Sequence, residues 1–172
     1  MKSKSFPLKV YSFTAAFAAI ICLSIAFIPS IPAGNGYIHV GDSVIYLAAS
    51  VLPFPFGLAA ASIGGAMADL MKGYVAYVLP TAIIKPLNAL CFLPAATGGR
   101  IITVRSIAAS VLSGLVTVIG YYLTEVVLYG NPAAQLATLP ANAVQAGASC
   151  LIFILIGLAL DKSKLTRYLE IK

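Results

Sequence analysis

Tryptophan is absent from this chain, histidine occurs once, and only five residues are acidic. The lone histidine, His39, has no Ser/Asp pair at a readable spacing, so no hydrolytic triad can be assembled from the sequence. Cys22, Cys91 and Cys150 each lie inside an apolar run and show neither metal-ligand spacing nor a paired framework. They read as small apolar packing residues. The glycine-rich string ATGGR (96–100) lacks the phosphate-loop spacing G-x-x-x-x-G-K-[ST], so the chain is not expected to hydrolyse ATP alone. No catalytic residues, metal ligands or cofactor site follow from the sequence, and an enzyme is not expected. Charge is the scarcest commodity: 9% of residues are charged, against roughly 25% in a soluble domain. With 60% hydrophobic residues and a mean hydropathy of +0.99, this is the composition of an integral membrane protein. The 172 residues contain no repeat, low-complexity tract or linker, and read as a single domain over 1–172.

The charges that are present are ordered. The net charge of +6 raises the possibility of nucleic acid, but the placement argues against it. Lys2, Lys4 and Lys9 precede the first apolar run, Arg100 and Arg105 flank one internal loop, and Lys162, Lys164, Arg167 and Lys172 form the tail. These are nine of the eleven basic residues, leaving Lys72 and Lys85. Basic residues gathered at alternate loops are the positive-inside pattern of a polytopic protein. The basic start followed by AAFAAIICLSIAF resembles a signal peptide. Because the rest of the chain is equally apolar, it is read as an uncleaved first helix.

Apolar runs separated by Pro, Gly and polar clusters give about six spans, near 9–30, 43–54, 57–72, 75–94, 103–129 and 140–160. The fold class is therefore all-α, a polytopic bundle of about six transmembrane helices. An even count places both termini on the cytoplasmic side together with the 95–105 loop. The loops near 31–42, 69–74 and 130–140 then face outward. Tyr37, His39 and Asp42 lie in or next to the first of these, and Lys72 and Tyr74 in the second. Together the three could form a lid over the bundle, or serve only as connectors.

Ionisable residues inside spans are the sharper signal. Lys85 lies in the fourth span and Glu125 in the fifth, each costing roughly 2.5–3.5 kcal/mol at a helix centre unless it meets a partner or a cavity. Thr81, Lys85 and Asn88 share one helical face. Thr117, Tyr121 and Glu125 share another, with Tyr122 beside them, and Asn142, Gln145 and Ser149 a third. Three polar stripes in lipid-grade sequence point to a small-molecule site. The tyrosines suit a flat ring, and the polar groups suit a ligand with hydroxyls and ring nitrogens. A structural Lys85–Glu125 ion pair remains open beside that reading. Pro86 removes the helical partner of the Ala82 carbonyl and is expected to push Lys85 off helical dihedrals. Such a break is typical of transporter binding sites.

Small residues form a second pattern. Ala60, Gly64 and Ala68 repeat at four-residue spacing, a face that suits close helix packing, and Ala15 and Ala19 make an A-x-x-x-A in the first helix. With that motif, the size and the span count, the chain resembles the S components of energy-coupling factor (ECF) vitamin transporters. The string 36–90, GYIHVGDSVIYLAASVLPFPFGLAAASIGGAMADLMKGYVAYVLPTAIIKPLNAL, is similar to the riboflavin-, pyridoxine- or hydroxymethylpyrimidine-type branch. The resemblance implies a high-affinity vitamin-binding subunit in a bacterial cell membrane. It would act with a transmembrane coupling subunit and two cytoplasmic ATPases, and would dock on the coupling subunit through Ala15 and Ala19. It places substrate between the outer loops and the last three helices, hence around Tyr37, His39, Asp42, Lys72 and Tyr74 and the stripes Thr81, Lys85, Asn88, Tyr121, Tyr122, Glu125, Asn142 and Gln145. With no tryptophan to sandwich thiamin, pyridoxine or hydroxymethylpyrimidine is favoured, then riboflavin. The alternative is a stand-alone ion-coupled secondary transporter or small channel using Lys85 and Glu125.

Overall fold

The computed structural model describes residues 7–28, 31–33, 36–93 and 100–163. Lys2, Lys4, Lys164, Arg167 and Lys172 of the basic ends, and most of the ATGGR string, lie outside the described residues. The elements are α1 (Leu8–Ala26), a two-stranded antiparallel hairpin of β1 (Ile31–Ala33) and β2 (Gly36–Ile38), α2 (Asp42–Val51), α3 (Phe56–Met71), α4 (Val75–Leu90), α5 (Val104–Tyr129), a one-turn α6 (Pro132–Gln135) and α7 (Leu139–Lys162). Six helices thus occupy the six expected stretches. The helices α1, α5 and the α6–α7 segment are long and apolar enough to cross a membrane; α2, α3 and α4 are shorter apolar helices. The hairpin is an addition that three-residue strands leave almost no pattern to announce.

The bundle is apolar outside and polar within, as a lipid solvent demands. Leu112, Leu115, Ile119 and Leu123 of α5 and Leu151, Leu155 and Leu158 of α7 are exposed, whereas Ser110, Ser113, Thr117 and Ser149 of the same helices are buried. Helix ends follow local chemistry. Thr103 and Ser106 form a reciprocal capping box at the start of α5, and Gly130 closes that helix in the left-handed region (φ 70°).

Close packing of α1 on α3 explains the Ala60–Gly64–Ala68 stripe. A Cβ on Gly64 would lie 2.6 Å from the Ala18 carbonyl oxygen and 2.8 Å from the Ile21 side chain. Gly65, one position on, clears the other side: a Cβ there would lie 2.8 Å from Lys85 Cγ.

The expected break at Pro86 does not occur. Helix α4 runs through both Pro80 and Pro86 to Leu90. The reason is visible on α3: Ser62 Oγ donates to the Ala82 carbonyl at 2.8 Å, replacing the hydrogen bond that proline cannot make.

The two ends of the bundle differ. Near one end Tyr11 of α1 meets Phe56 at the start of α3, and Asp161 of α7 accepts the backbone N–H groups of Ile101 and Ile102 before α5. The described basic residues Lys9, Arg100, Arg105 and Lys162 belong to these same helix ends. The other end gathers the hairpin, the starts of α2, α4 and α7, and the ends of α3 and α5.

Candidate functional site

At this second end a cleft is lined by Tyr37, Ile38 and His39 from the hairpin, Asp69 from α3, Tyr74 and Tyr77 at and near the start of α4, Tyr121 and Glu125 from α5, Thr138 ahead of α7, and Ala141, Asn142 and Gln145 of α7. The rings form a chain around it. Tyr37 and Tyr74 lie 4.9 Å apart between centroids, Tyr74 and Tyr77 6.1 Å, and Tyr77 and Tyr121 6.4 Å. Lys72 does not line the cleft; its ammonium sits 3.7 Å from the centre of the Tyr37 ring. The space between the walls is about 500 Å³, the open mouth included.

Beneath the cleft lies a dry polar network. Lys85 Nζ is 2.6 Å from Asp42 Oδ1, and both side chains are 0% exposed. The other carboxylate oxygen of Asp42 accepts from Gln145 Nε2 at 3.2 Å and Thr117 Oγ1 at 3.5 Å. Asn88 Nδ2 donates to Thr117 at 2.8 Å. Asp42 sits in the first turn of α2, where the positive end of the helix dipole favours an anion. The ion pair of Lys85 is thus made with Asp42, which replaces the open Lys85–Glu125 alternative. Asp42 is 43 residues away in sequence and α2 must enter the bundle to deliver it. Glu125 meets Tyr77 instead, whose hydroxyl is 3.4 Å from Oε1.

Of the residues singled out in the sequence, Tyr37, His39, Tyr74, Tyr121, Glu125, Asn142 and Gln145 line the cleft. Asp42, Lys85 and Asn88 form the layer beneath, and Thr81 meets the Tyr121 hydroxyl at 3.0 Å, joining the layers. Tyr122 is half-buried and off the cleft wall. Asp69, Tyr77, Thr138, Ile38 and Ala141 were not anticipated as lining. Tyr77 had a signal, lying four residues before Thr81 and eight before Lys85 on the same helical face. Asp69 had a weaker one, three residues before Lys72. Ala15 and Ala19 are exposed on α1, while Ala18 and Ile21 face α3.

His39 links the hairpin to both layers. Its backbone N–H donates to Gln145 Oε1 at 3.1 Å, and its Nδ1 accepts from the Gly41 N–H at 3.1 Å. An Nδ1 that accepts belongs to a neutral ring. Burial pushes the imidazole pKa down to about 3, a nearby Asp42 opposing and Lys85 reinforcing the shift. The folded state therefore binds this proton less readily than the unfolded chain, so stability is full above about pH 6.5 and falls as pH drops toward 3. In a detergent-solubilised sample the loss should be about 2 kcal/mol between pH 7 and pH 5, read from denaturant midpoints. His39→Gln should flatten that slope; an unchanged slope would assign it to other groups.

A family model described as the S component of the ECF-type riboflavin transporter matches residues 6–162. The chain belongs to this family of ECF S components. An uncharacterized protein in gap 3'region of Pyrococcus woesei is 35% identical over 126 residues, covering 71% of this chain and 80% of that protein. As an ECF S component the chain is a substrate-binding membrane subunit of a vitamin-type importer. S components act with a coupling subunit and ATPases.

Proposed function

We propose that this S component captures a small flat B-type vitamin or precursor in the tyrosine-walled cleft, from the outer face of the cell membrane. The observation that carries this is the position of the cleft: it lies at the end of the bundle away from Lys9, Arg100, Arg105 and Lys162, which the positive-inside rule assigns to the cytoplasm. Four tyrosines supply ring faces, and the buried Asp42–Lys85 network holds Gln145 and the hairpin in register beneath them. Tyrosine faces without tryptophan favour a one-ring ligand, pyridoxine or hydroxymethylpyrimidine, with riboflavin, which the family's description names, next. Ala15 and Ala19, exposed and small, are proposed to meet the coupling subunit, with two ATPases driving uptake.

Thermal melting of the purified protein tests the binding claim. One vitamin of a panel should raise the melting temperature, since a ligand at 100 times its Kd adds about 2.7 kcal/mol to the native state. A panel containing pyridoxine, hydroxymethylpyrimidine and riboflavin that gives no shift would contradict it. The ion-coupled alternative loses its relay: Lys85 is sealed against Asp42, and Glu125 is engaged with Tyr77.

A further inference from the structure

Resting on the vitamin-site reading, we infer that the cleft selects ligands that present hydrogen-bond donors, amino groups or ring N–H foremost, and rejects ligands that carry a carboxylate or phosphate. Most polar groups of the lining are already engaged with one another. The Tyr37 hydroxyl is spent on Asp69 Oδ1 at 2.8 Å. The Tyr121 hydroxyl is spent on Thr81, and that of Tyr77 lies between Glu125 and Tyr129. Gln145 uses its oxygen on His39 and an amide hydrogen on Asp42. The half-buried Tyr74 hydroxyl and Asn142 amide can turn either a donor or an acceptor to a ligand and set no preference, whereas among the fully buried lining atoms two acceptors remain. Asp69 Oδ2 and Glu125 Oε2 have no hydrogen-bond partner among the described residues, although the two residues are only 6% and 3% exposed.

A buried acceptor without a donor is costly, and a charged one more so. A carboxylate oxygen can only accept, so the group that relieves it must donate. Among the described residues no lysine or arginine lines the cleft to serve an anionic ligand, and the His39 ring is neutral. Lys85 lies below it, paired with Asp42, and the Lys72 ammonium is engaged with the Tyr37 ring at 3.7 Å. A carboxylate or phosphate in the cleft would face these two carboxyl groups with no lysine or arginine in the described lining to pair with. A flat heterocycle bearing an amine would instead lay its ring against the tyrosines and its N–H groups against Asp69 or Glu125. Charge-assisted hydrogen bonds of this kind are about twice as strong as neutral ones.

The test is isothermal titration of the full-length protein in detergent at neutral pH with two matched series. One is pyridoxamine, pyridoxine and 4-pyridoxic acid. The other is 4-amino-5-hydroxymethyl-2-methylpyrimidine and its 4-oxo counterpart. In the series that binds, the amino compound should bind at least 10-fold tighter than the oxo or hydroxymethyl one, and 4-pyridoxic acid at least 100-fold more weakly than pyridoxamine. Glu125→Gln should shrink the amino preference at least 10-fold, with Asp69→Asn as the second variant should the first fail to fold. The wild-type series is decisive without either. Equal or tighter binding of the oxo or carboxylate compound would overturn the donor preference while leaving a vitamin site intact. Failure of both series to bind would overturn the preference, and failure of riboflavin, titrated alongside them, would overturn the vitamin site as well.

Discussion

Lys85→Met should destabilise the protein by about 3–5 kcal/mol, because it leaves the Asp42 carboxylate charged, buried and without its cation. The effect is large because, among the described residues, Asp42 has no salt bridge other than the one with Lys85. Asp42 would retain only the Gln145 amide at 3.2 Å and the more distant Thr117 hydroxyl. Asp42→Asn alone should be costly for the mirror reason, an ammonium sealed from water with no carboxylate. The double variant Lys85→Met/Asp42→Asn removes both charges and should recover most of the loss, since a buried ion pair contributes little net stability beyond its own desolvation cost. Denaturant midpoints of the four proteins form a double-mutant cycle, and the coupling energy should be several kcal/mol. Rescue by Glu125→Gln in place of Asp42→Asn would show that the lysine is paired with the wrong acid here. Vitamin affinity in the double variant separates a structural role from a binding one. If the network acts only by holding Gln145 and the hairpin, affinity should weaken while the aromatic wall still binds.

Replacing Ala15 and Ala19 together by Leu should abolish ATP-driven uptake while leaving vitamin affinity within about twofold. Both side chains are exposed on the side of α1 away from the α3 contact, so the added bulk meets nothing in the isolated subunit. Against a coupling subunit, small residues at four-residue spacing permit close helix approach, and leucines would hold the partner off. Uptake into proteoliposomes containing the coupling subunit and both ATPases, run beside equilibrium binding on the same variant, separates the two steps. Loss of vitamin binding in the variant would refute docking as the function of this face.

The helices were legible in the sequence because lipid imposes one demand on all of them, a sustained apolar run whose backbone bonds itself. The stripes Thr81–Lys85–Asn88 and Thr117–Tyr121–Glu125 were legible for the complementary reason: polar residues in such runs must face inward. What they face was not legible. Asp42 reads as the end of an outer loop until α2 carries it into the bundle, and its pairing with Lys85 spans 43 residues that no periodicity connects. Pro86 reads as a break until Ser62, on a different helix, is seen to satisfy Ala82. The three-residue strands that bring Tyr37 and His39 over the cleft are too short for alternation to register. Asp69 falls where the expected 57–72 span and the 69–74 loop overlap, and only the convergence of α3 with the hairpin shows it as lining.

A structure of the protein bound to the tightest ligand of the vitamin panel tests the site most directly. The ring should lie among Tyr37, Tyr74, Tyr77 and Tyr121, with its donors on Asp69 or Glu125 and the Asp42–Lys85 pair unbroken beneath it. A ligand held instead in the lipid-facing groove between Ile83 and Val127, or one that reaches Lys85 by displacing Asp42, would contradict the cleft as the vitamin site.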